Sequence, residues 1–356
     1  MIQTCAPSTP RVLIIDPAPA AFAVQELERF TALGLAPTVN LRRVTDPAVC
    51  AQIAARWDCI DIDGFDTEEL VATIERGCGY DALKCRAGIP LTSDVLERAT
   101  ADTLDQPLRL VGRAATGLDT FDLDAARALN VAIRFSAGAN AAAVAEFTIG
   151  LMLDGLRGIS RRSAALHAAD WSTAIGDLPA RSLSESRVGI IGTGTIAREV
   201  ATRLASFGTE VWVHGSTRFT PESAAGWPGR RTESLSELLS SCDVVTVHVP
   251  GTSETNALLG AAELREMRPN SLLVNTSRAS VVPEEALDAV LRETNSGPSH
   301  ACIDVFAREG QQFDSPLAGN PHATLTPHMA GMTSSAMRAA STQLLDEFAR
   351  FYASGK

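Results

Sequence analysis

Basic charge is in short supply: 31 Lys and Arg stand against 42 Asp and Glu, giving a formal net charge of −11 and a pI near 5.1. Such a surface repels polyanions, which argues against nucleic acid or an anionic membrane as the main partner. An apolar run long enough to span a bilayer is also missing, since the longest, Ala141 to Leu156, is broken by Glu146 and Asp154. No basic residue precedes Arg11, so the first ten residues lack the charged start of a signal peptide. A soluble, cytoplasmic protein is expected. The seven cysteines contain no C-x-x-C pair, which disfavours a disulfide framework or a zinc site and leaves no metal site in view. Cys85 and Cys302 lie in apolar runs and read as small core residues. Internal repeats and low-complexity segments are lacking as well. What the chain does have is length: 356 residues suffice for two or three domains with ample core.

The residues it has in pattern are those of alternating strands and helices. Val12 to Ile15, Asp81 to Arg86, Leu108 to Arg113, Asp243 to Val249, Ser271 to Asn275 and Ala301 to Phe306 read as buried strands. Phe22 to Leu33 has helical spacing, Thr92-Ser93-Asp94 starts a helix, and Pro283 opens another at its first turn. Ala141 to Leu156 predicts a helix buried on nearly all sides, whereas Arg157, Arg161 and Arg162 read as a solvated face and Leu178 to Ser186 as a surface loop. This alternation implies doubly wound parallel sheets with ligands at the carboxyl ends of the strands.

One stretch states its ligand more directly. Val188 to Ile191 meets Gly192-Thr193-Gly194-Thr195-Ile196-Ala197, and a helical pattern through Val200, Leu204 and Phe207 leads to a second apolar run, Val211 to Val213. Gly192 allows the tight turn, Gly194 lets backbone approach a pyrophosphate, and Ala197 stands in for a third glycine at the helix–strand contact. In this βαβ context the motif points to a dinucleotide seated on the helix N-terminus.

Three further strand ends carry polar groups: SLLVNTSR delivers Arg278, ACIDVFARE delivers Asp304 and Glu309, and ATLTPH delivers His328. Together they suit chemistry on a carboxylate substrate. Arg278 would hold the carboxylate and polarise a neighbouring carbonyl, His328 would exchange a proton, and Glu309 would orient the imidazole. From the residues alone a second reading stays open, with Arg278 and Glu309 in surface ion pairs and His328 in a loop.

The glycine turn, the NTSR strand end, DVFARE and TPHMAG, with VGRAATGLDTFDLDAA and NAAAVAEFTIGLML, resemble the D-2-hydroxyacid dehydrogenases, in particular the phosphoglycerate dehydrogenase branch, from about Asp81 to Leu344. The resemblance implies a catalytic set of Arg278, Glu309 and His328. It also implies nicotinamide contacts from Asp304, Thr276 and Ser277, with Val249 and Gly331 completing the cofactor site beside Gly192, Gly194, Thr195 and Ile196. The loop Ala114, Ala115, Thr116 and Gly117 would grip the substrate carboxylate, and Arg86 a phosphate. The implied fold is α/β: two Rossmann-like or flavodoxin-like domains with a cleft between them that closes on the reactants. A substrate domain of 1–139 and 329–356 would enclose a dinucleotide-binding domain of 140–328, and the partner would be a second copy in a homodimer. Because the chain ends soon after Leu344, Leu345 and Phe348, a regulatory C-terminal domain is not expected.

Departures from the family pattern carry their own expectations. The acid that normally binds the adenosine ribose falls at Gly215, 23 residues beyond Gly192, followed by Ser216, Thr217 and Arg218. An acid would repel a 2′-phosphate, so its absence favours NADP(H), or use of both cofactors, over strict NAD(H). Ala279 replaces the usual glycine after the catalytic arginine, and Gly310 replaces a proline after Glu309, with a looser loop expected. Two rival readings remain: a glyoxylate or hydroxypyruvate reductase, and a cofactor-sensing corepressor-like binding protein.

Overall fold

Runs of three to six residues rich in Val, Ile, Leu and Ala are buried on both faces, which is why they read as continuous apolar segments rather than as alternations. The computed structural model describes residues 9–19, 22–86, 88–176, 180–216, 219–293 and 296–354. It divides into two compact units, Met1–Asn140 with Thr333–Lys356, and Ala141–Met332.

In the first unit, β1 (Arg11–Ile14), β2 (Ala36–Asn40), β3 (Asp58–Ile60), β4 (Ala82–Cys85), β5 (Leu110–Arg113) and β6 (Ala132–Phe135) form a parallel sheet in the order β3-β2-β1-β4-β5-β6. Alternate strand residues feed two cores: Leu13, Leu83 and Val111 on one face, Val12, Ala82 and Leu110 on the other. The C-terminal helix Ser334–Ala353 joins the second face through Phe348, edge-on to Phe30 at 5.1 Å. Gly112 permits that docking, because a Cβ there would lie 2.1 Å from the Phe348 ring.

In the second unit, β7 (Arg187–Ile191), β8 (Glu210–His214), β9 (Arg230–Arg231), β10 (Val244–Val247), β11 (Ser271–Asn275), β12 (Pro298–Ile303) and β13 (Ala323–Leu325) form a parallel sheet ordered β13-β12-β11-β10-β7-β8-β9. Both sheets follow the doubly wound Rossmann order, which reverses direction beside the first strand of each unit. Those reversals, between β1 and β4 and between β7 and β10, are where ligands are expected.

Several local expectations change. Phe207 lies past the end of the helix Thr195–Ala205 and is exposed, so the apolar stripe stops at Leu204. Arg162 does not merely face solvent: it donates to Arg157 O at 2.9 Å and to the last carbonyls of the helix Trp171–Ile175. The charge inside the apolar helix Ala141–Arg157 is buried Asp154, whose carboxylate accepts from Ser160 N (2.6 Å) and Oγ (2.8 Å) and from Thr324 Oγ1 (3.2 Å). Residues 329–332, expected with the substrate domain, stay with the second unit because Met329 and Ala330 are hydrogen-bonded to Asp304. Leu178 and Pro179 of the expected surface loop lie outside the described residues, while Leu183 within it is buried. Among the described residues no helix is long and apolar enough to cross a membrane.

Candidate active site

The glycine turn follows β7. Gly192 has φ +115°, and a Cβ there would stand 2.3 Å from His248 O, so only glycine fits. Gly194 precedes the helix Thr195–Ala205 with no side-chain cap, and a Cβ on it would meet no protein atom within 4 Å. The helix N-terminus thus carries no side-chain cap and has room beside Gly194, as a pyrophosphate requires. Thr195 is exposed, Ile196 and Val249 are half-buried, and fully buried Ala197 sets the helix against the sheet. These features fit a dinucleotide.

The far side of that slot differs from expectation in a physical way. A Cβ at Gly215 would lie 2.6 Å from Thr193 Cγ2 and 2.8 Å from Phe219 Cβ, so the place of the missing acid is closed by neighbours. Ser216 beside it is exposed, and Thr217 and Arg218 lie outside the described residues.

After β11 the chain turns around Asn275, a buried residue that sequence reading passed over. Its Oδ1 accepts from Ser277 N (3.0 Å) and Ser277 Oγ (2.8 Å), and its Nδ2 donates to Arg278 O (3.0 Å). An Asn two residues before a Ser was the available signal, since this is an Asx turn. The turn presents Arg278 half-buried, with Nη1 on Ser277 O at 2.7 Å. Thr276 and Ser277 are themselves buried, and Thr276 Oγ1 meets Thr148 Oγ1 at 3.0 Å. Ala279 opens a single 3-10 turn, Ala279–Val281, a conformation that does not need glycine.

The loops after β12 and β13 bring Glu309 and His328 together. His328 Nδ1 lies 2.9 and 2.8 Å from the two Glu309 oxygens, and Glu309 Oε1 also accepts from Phe306 N at 3.1 Å. The hydrogen bond that His328 donates to the Glu309 carboxylate raises the His328 pKa above its usual value against burial, and the Asp304 charge adds to the rise. Burial of Glu309 is outweighed by its bonds to His328 and Phe306 N, which leave its pKa lowered. Arg278 is close enough to act on both, favouring ionised Glu309 and opposing protonated His328. Gly310 has φ +73°, which proline cannot adopt, so the departure at this position is tied to a distinct backbone path.

Asp304, expected at the nicotinamide carboxamide, is 0% exposed, and its carboxylate accepts from Thr326 Oγ1 (2.6 Å), Met329 N (3.0 Å) and Ala330 N (2.9 Å). Gly331 follows, half-buried.

The first unit holds the other expected residues. Loop Ala114–Gly117 leaves β5 with Ala114 N on Cys85 O (2.9 Å), and Thr116 Oγ1 donates to Ser136 O at 3.2 Å. Thr116 is exposed, while Ala114, Ala115 and Gly117 are half-buried. Arg86 has an unforeseen companion in Arg43. The Nε of each lies 3.8 Å from Asp16 Oδ1, and the guanidinium carbons stand 5.7 and 4.9 Å from the Phe65 ring centroid. Asp16 is 5% exposed, and its Oδ2 has no hydrogen-bond partner among the described residues. Burial raises its pKa against the charges of Arg86, Lys84 and Arg43.

With this geometry in hand, residues 149–330 match the family model described as D-isomer specific 2-hydroxyacid dehydrogenase, NAD binding domain. The chain is 33% identical over 278 residues to a (S)-sulfolactate dehydrogenase of Chromohalobacter salexigens, covering 78% of this chain and 86% of that protein. It is 30% identical over 285 residues to a D-3-phosphoglycerate dehydrogenase of Methanocaldococcus jannaschii, covering 80% of this chain but 51% of the relative, so it spans about half of that protein. A glyoxylate reductase structure from Paecilomyes thermophila superposes with a TM-score of 0.76 at 25% identity, covering 96% of this chain and 95% of the other.

Proposed function

The chain belongs to the D-isomer specific 2-hydroxyacid dehydrogenase family, and from that premise we propose that it interconverts a 2-oxo and a 2-hydroxy acid bearing a second anionic group, in the manner of phosphoglycerate dehydrogenase. The observation that carries the reading is the Glu309–His328 pair, with Arg278 beside it, in the unit that also bears the glycine turn. NAD(P)H, when bound, supplies the hydride in reduction and NAD(P)⁺ accepts it in oxidation. Arg278 binds the substrate carboxylate through its planar fork and polarises the adjacent carbonyl. Glu309 occupies Nδ1 of His328 and leaves Nε2 to give the substrate oxygen its proton. The loop Ala114–Gly117 of the first unit is assigned to substrate recognition, and Arg278, Glu309 and His328 of the second unit to carboxylate binding and proton transfer.

Arg43 and Arg86 around Asp16 support a phosphate or sulfonate on the substrate, since both guanidinium groups gather at the carboxyl end of the first sheet. The deciding experiment is a panel of glyoxylate, hydroxypyruvate, 3-phosphohydroxypyruvate and 3-sulfopyruvate with NADH and NADPH. Highest kcat/KM for an acid with the second anion is expected. Preference for glyoxylate would replace this reading by the reductase one, and absence of turnover would sink both.

The same panel tests the cofactor. Closure of position 215 against any side chain supports NADP(H) preference or dual use; a preference for NADH of about tenfold, 1.4 kcal/mol, or more would refute it. A homodimer is supported by Ile159, Leu166, Trp171 and Ile175, all exposed on the helices Ile159–His167 and Trp171–Ile175, where Trp171 is 71% exposed. A monomer in sedimentation at micromolar concentration would overturn that.

A further inference from the structure

We propose that Glu284 is a positioning residue: its buried carboxylate ties both ends of the loop 307–315 to the head of the helix Glu284–Leu291 and so holds Glu309 against His328. The inference rests on the assignment of Glu309 and His328 as the proton-transfer pair.

The loop has a freedom that something else must remove. Gly310, directly after Glu309, has φ +73°, and a glycine leaves the chain mobile where a proline would fix it. Glu309 is itself exposed, so packing does not set its place. Glu284, by contrast, is 6% exposed and is the first residue of its helix. Its Oε1 accepts from Ala307 N at 2.7 Å, and its Oε2 accepts from Ser315 Oγ. Those two partners bracket Glu309, one two residues before it and the other six after. Hydrogen bonds to a carboxylate are the strong kind, and more so away from water. The base of the loop is closed further by Ser315 Oγ, which accepts from Leu317 N at 3.2 Å, and by the Phe306 and Phe313 rings, edge-on at 5.1 Å. Phe306 N, next to the N–H that Glu284 holds, donates to Glu309 Oε1 at 3.1 Å and so carries the tie to the catalytic carboxylate.

The charges acting on His328 are those of Glu309, Asp304 and Arg278, and those acting on Glu309 are His328 and Arg278; the Glu284 charge is not among them. A moved His328 titration in a Glu284 variant would therefore report a displaced Glu309 rather than a lost charge. For Glu284→Ala the expected result is about a 100-fold fall in kcat, the scale of an ångström-level misplacement. The His328 titration, followed by NMR without substrate, should move down toward the ordinary 6.5. The dissociation constant for NADPH or NADH, by fluorescence titration, should not change. Glu284→Gln should keep both kcat and the titration, since its Oε1 can accept from Ala307 N and its Nε2 can donate to Ser315 Oγ, a hydroxyl that accepts as well as donates. Ser315→Ala keeps the Ala307 bond, so it should lower kcat to a lesser degree and move the titration in the same direction.

A lower melting temperature in Glu284→Ala with kcat and the His328 titration both unchanged would leave Glu284 a structural cap and overturn the proposal. So would a loss in Glu284→Gln as deep as in Glu284→Ala, or tenfold weaker cofactor binding in Glu284→Ala with the titration unmoved. If Glu284→Ala does not fold, Ser315→Ala decides, and wild-type kcat and titration there would overturn the proposal. Should the wild-type enzyme reduce none of the four acids, the functional reading fails, while the NMR titration still tests the tie.

Discussion

The two units share a strand order and differ in what stands at the turn after the first strand. After β7 the glycines leave a helix N-terminus open to an outside anion. After β1 the chain reads Asp16-Pro17-Ala18-Pro19, and the anion is its own: buried Glu26 accepts from Ala18 N at 2.8 Å and from Lys84 Nζ at 3.1 Å, and takes Ser341 Oγ at 2.6 Å. One turn is open to a ligand's charge, and the other is closed by an internal ion pair. A repeated fold therefore carries no repeated function, and the loops decide which half meets a dinucleotide.

The largest expected effect breaks the closed turn. Glu26→Ala strands the Lys84 ammonium, 2% exposed, and should cost about 3–5 kcal/mol of folding stability, as removal of one partner of a buried pair does. Calorimetry should show the loss; a change below about 1 kcal/mol, the scale of an exposed pair, would mean the pair does not staple the turn. In the second unit, His328→Gln should cut kcat by about 10²–10⁴-fold, the usual contribution of a positioned acid, while cofactor affinity stays intact. The sign of the pH dependence follows from the raised His328 pKa. Reduction needs the protonated ring, so its rate should hold above the ordinary histidine range and fall as pH rises through the raised value, whereas oxidation should rise over that interval. A pH-independent rate ratio would remove His328 from the proton step.

Smaller and more selective is Gly194→Ala. Nothing in the protein stands within 4 Å of the added methyl, so the melting temperature should not move. Cofactor affinity should fall by about tenfold or more, equivalent to 1.4 kcal/mol, because the methyl takes the space of the approaching pyrophosphate. Unchanged affinity would show that the open turn is not where the dinucleotide lies.

Legibility in the sequence followed the same division. Strands buried on both faces announced themselves as apolar runs, and glycines at Gly192 and Gly194 announced the ligand, because both signals are local. β2, with Pro37 and Asn40, and the short β3 and β9 were not marked as strands, since their place comes from neighbours rather than from their own residues. Arg278, Asp304, Glu309 and His328 could be named from their strand ends, but the part of Asn275, which shapes the turn presenting Arg278, shows only in the hydrogen bonds its side chain makes. Arg43 went unnoticed for another reason: it joins Arg86 only through pairing of β1 with β2 and β4, a long-range contact that no local pattern encodes.

The smallest effect concerns two buried aspartates at strand ends. Asp304 has its carboxylate filled by three donors, whereas Asp16 keeps one oxygen without a partner among the described residues and faces its arginines at 3.8 Å. Burial has raised the Asp16 pKa in the folded state despite those cations. A raised acid contributes stability below the unfolded value of 3.8 and loses it as pH rises through the folded value, so at neutral pH the buried charge opposes folding. Asp16→Asn should therefore raise the melting temperature at pH 7, by about 2–4 °C for each kcal/mol gained, with the gain over wild type shrinking as pH falls toward 3.8. The same substitution should loosen the spacing of Arg43 and Arg86 and raise KM for the acid bearing a second anion. Stability gained and recognition lost together would mark Asp16 as kept for its ligand; a lower melting temperature at pH 7 would mark it as a staple after all, like Glu26 behind it.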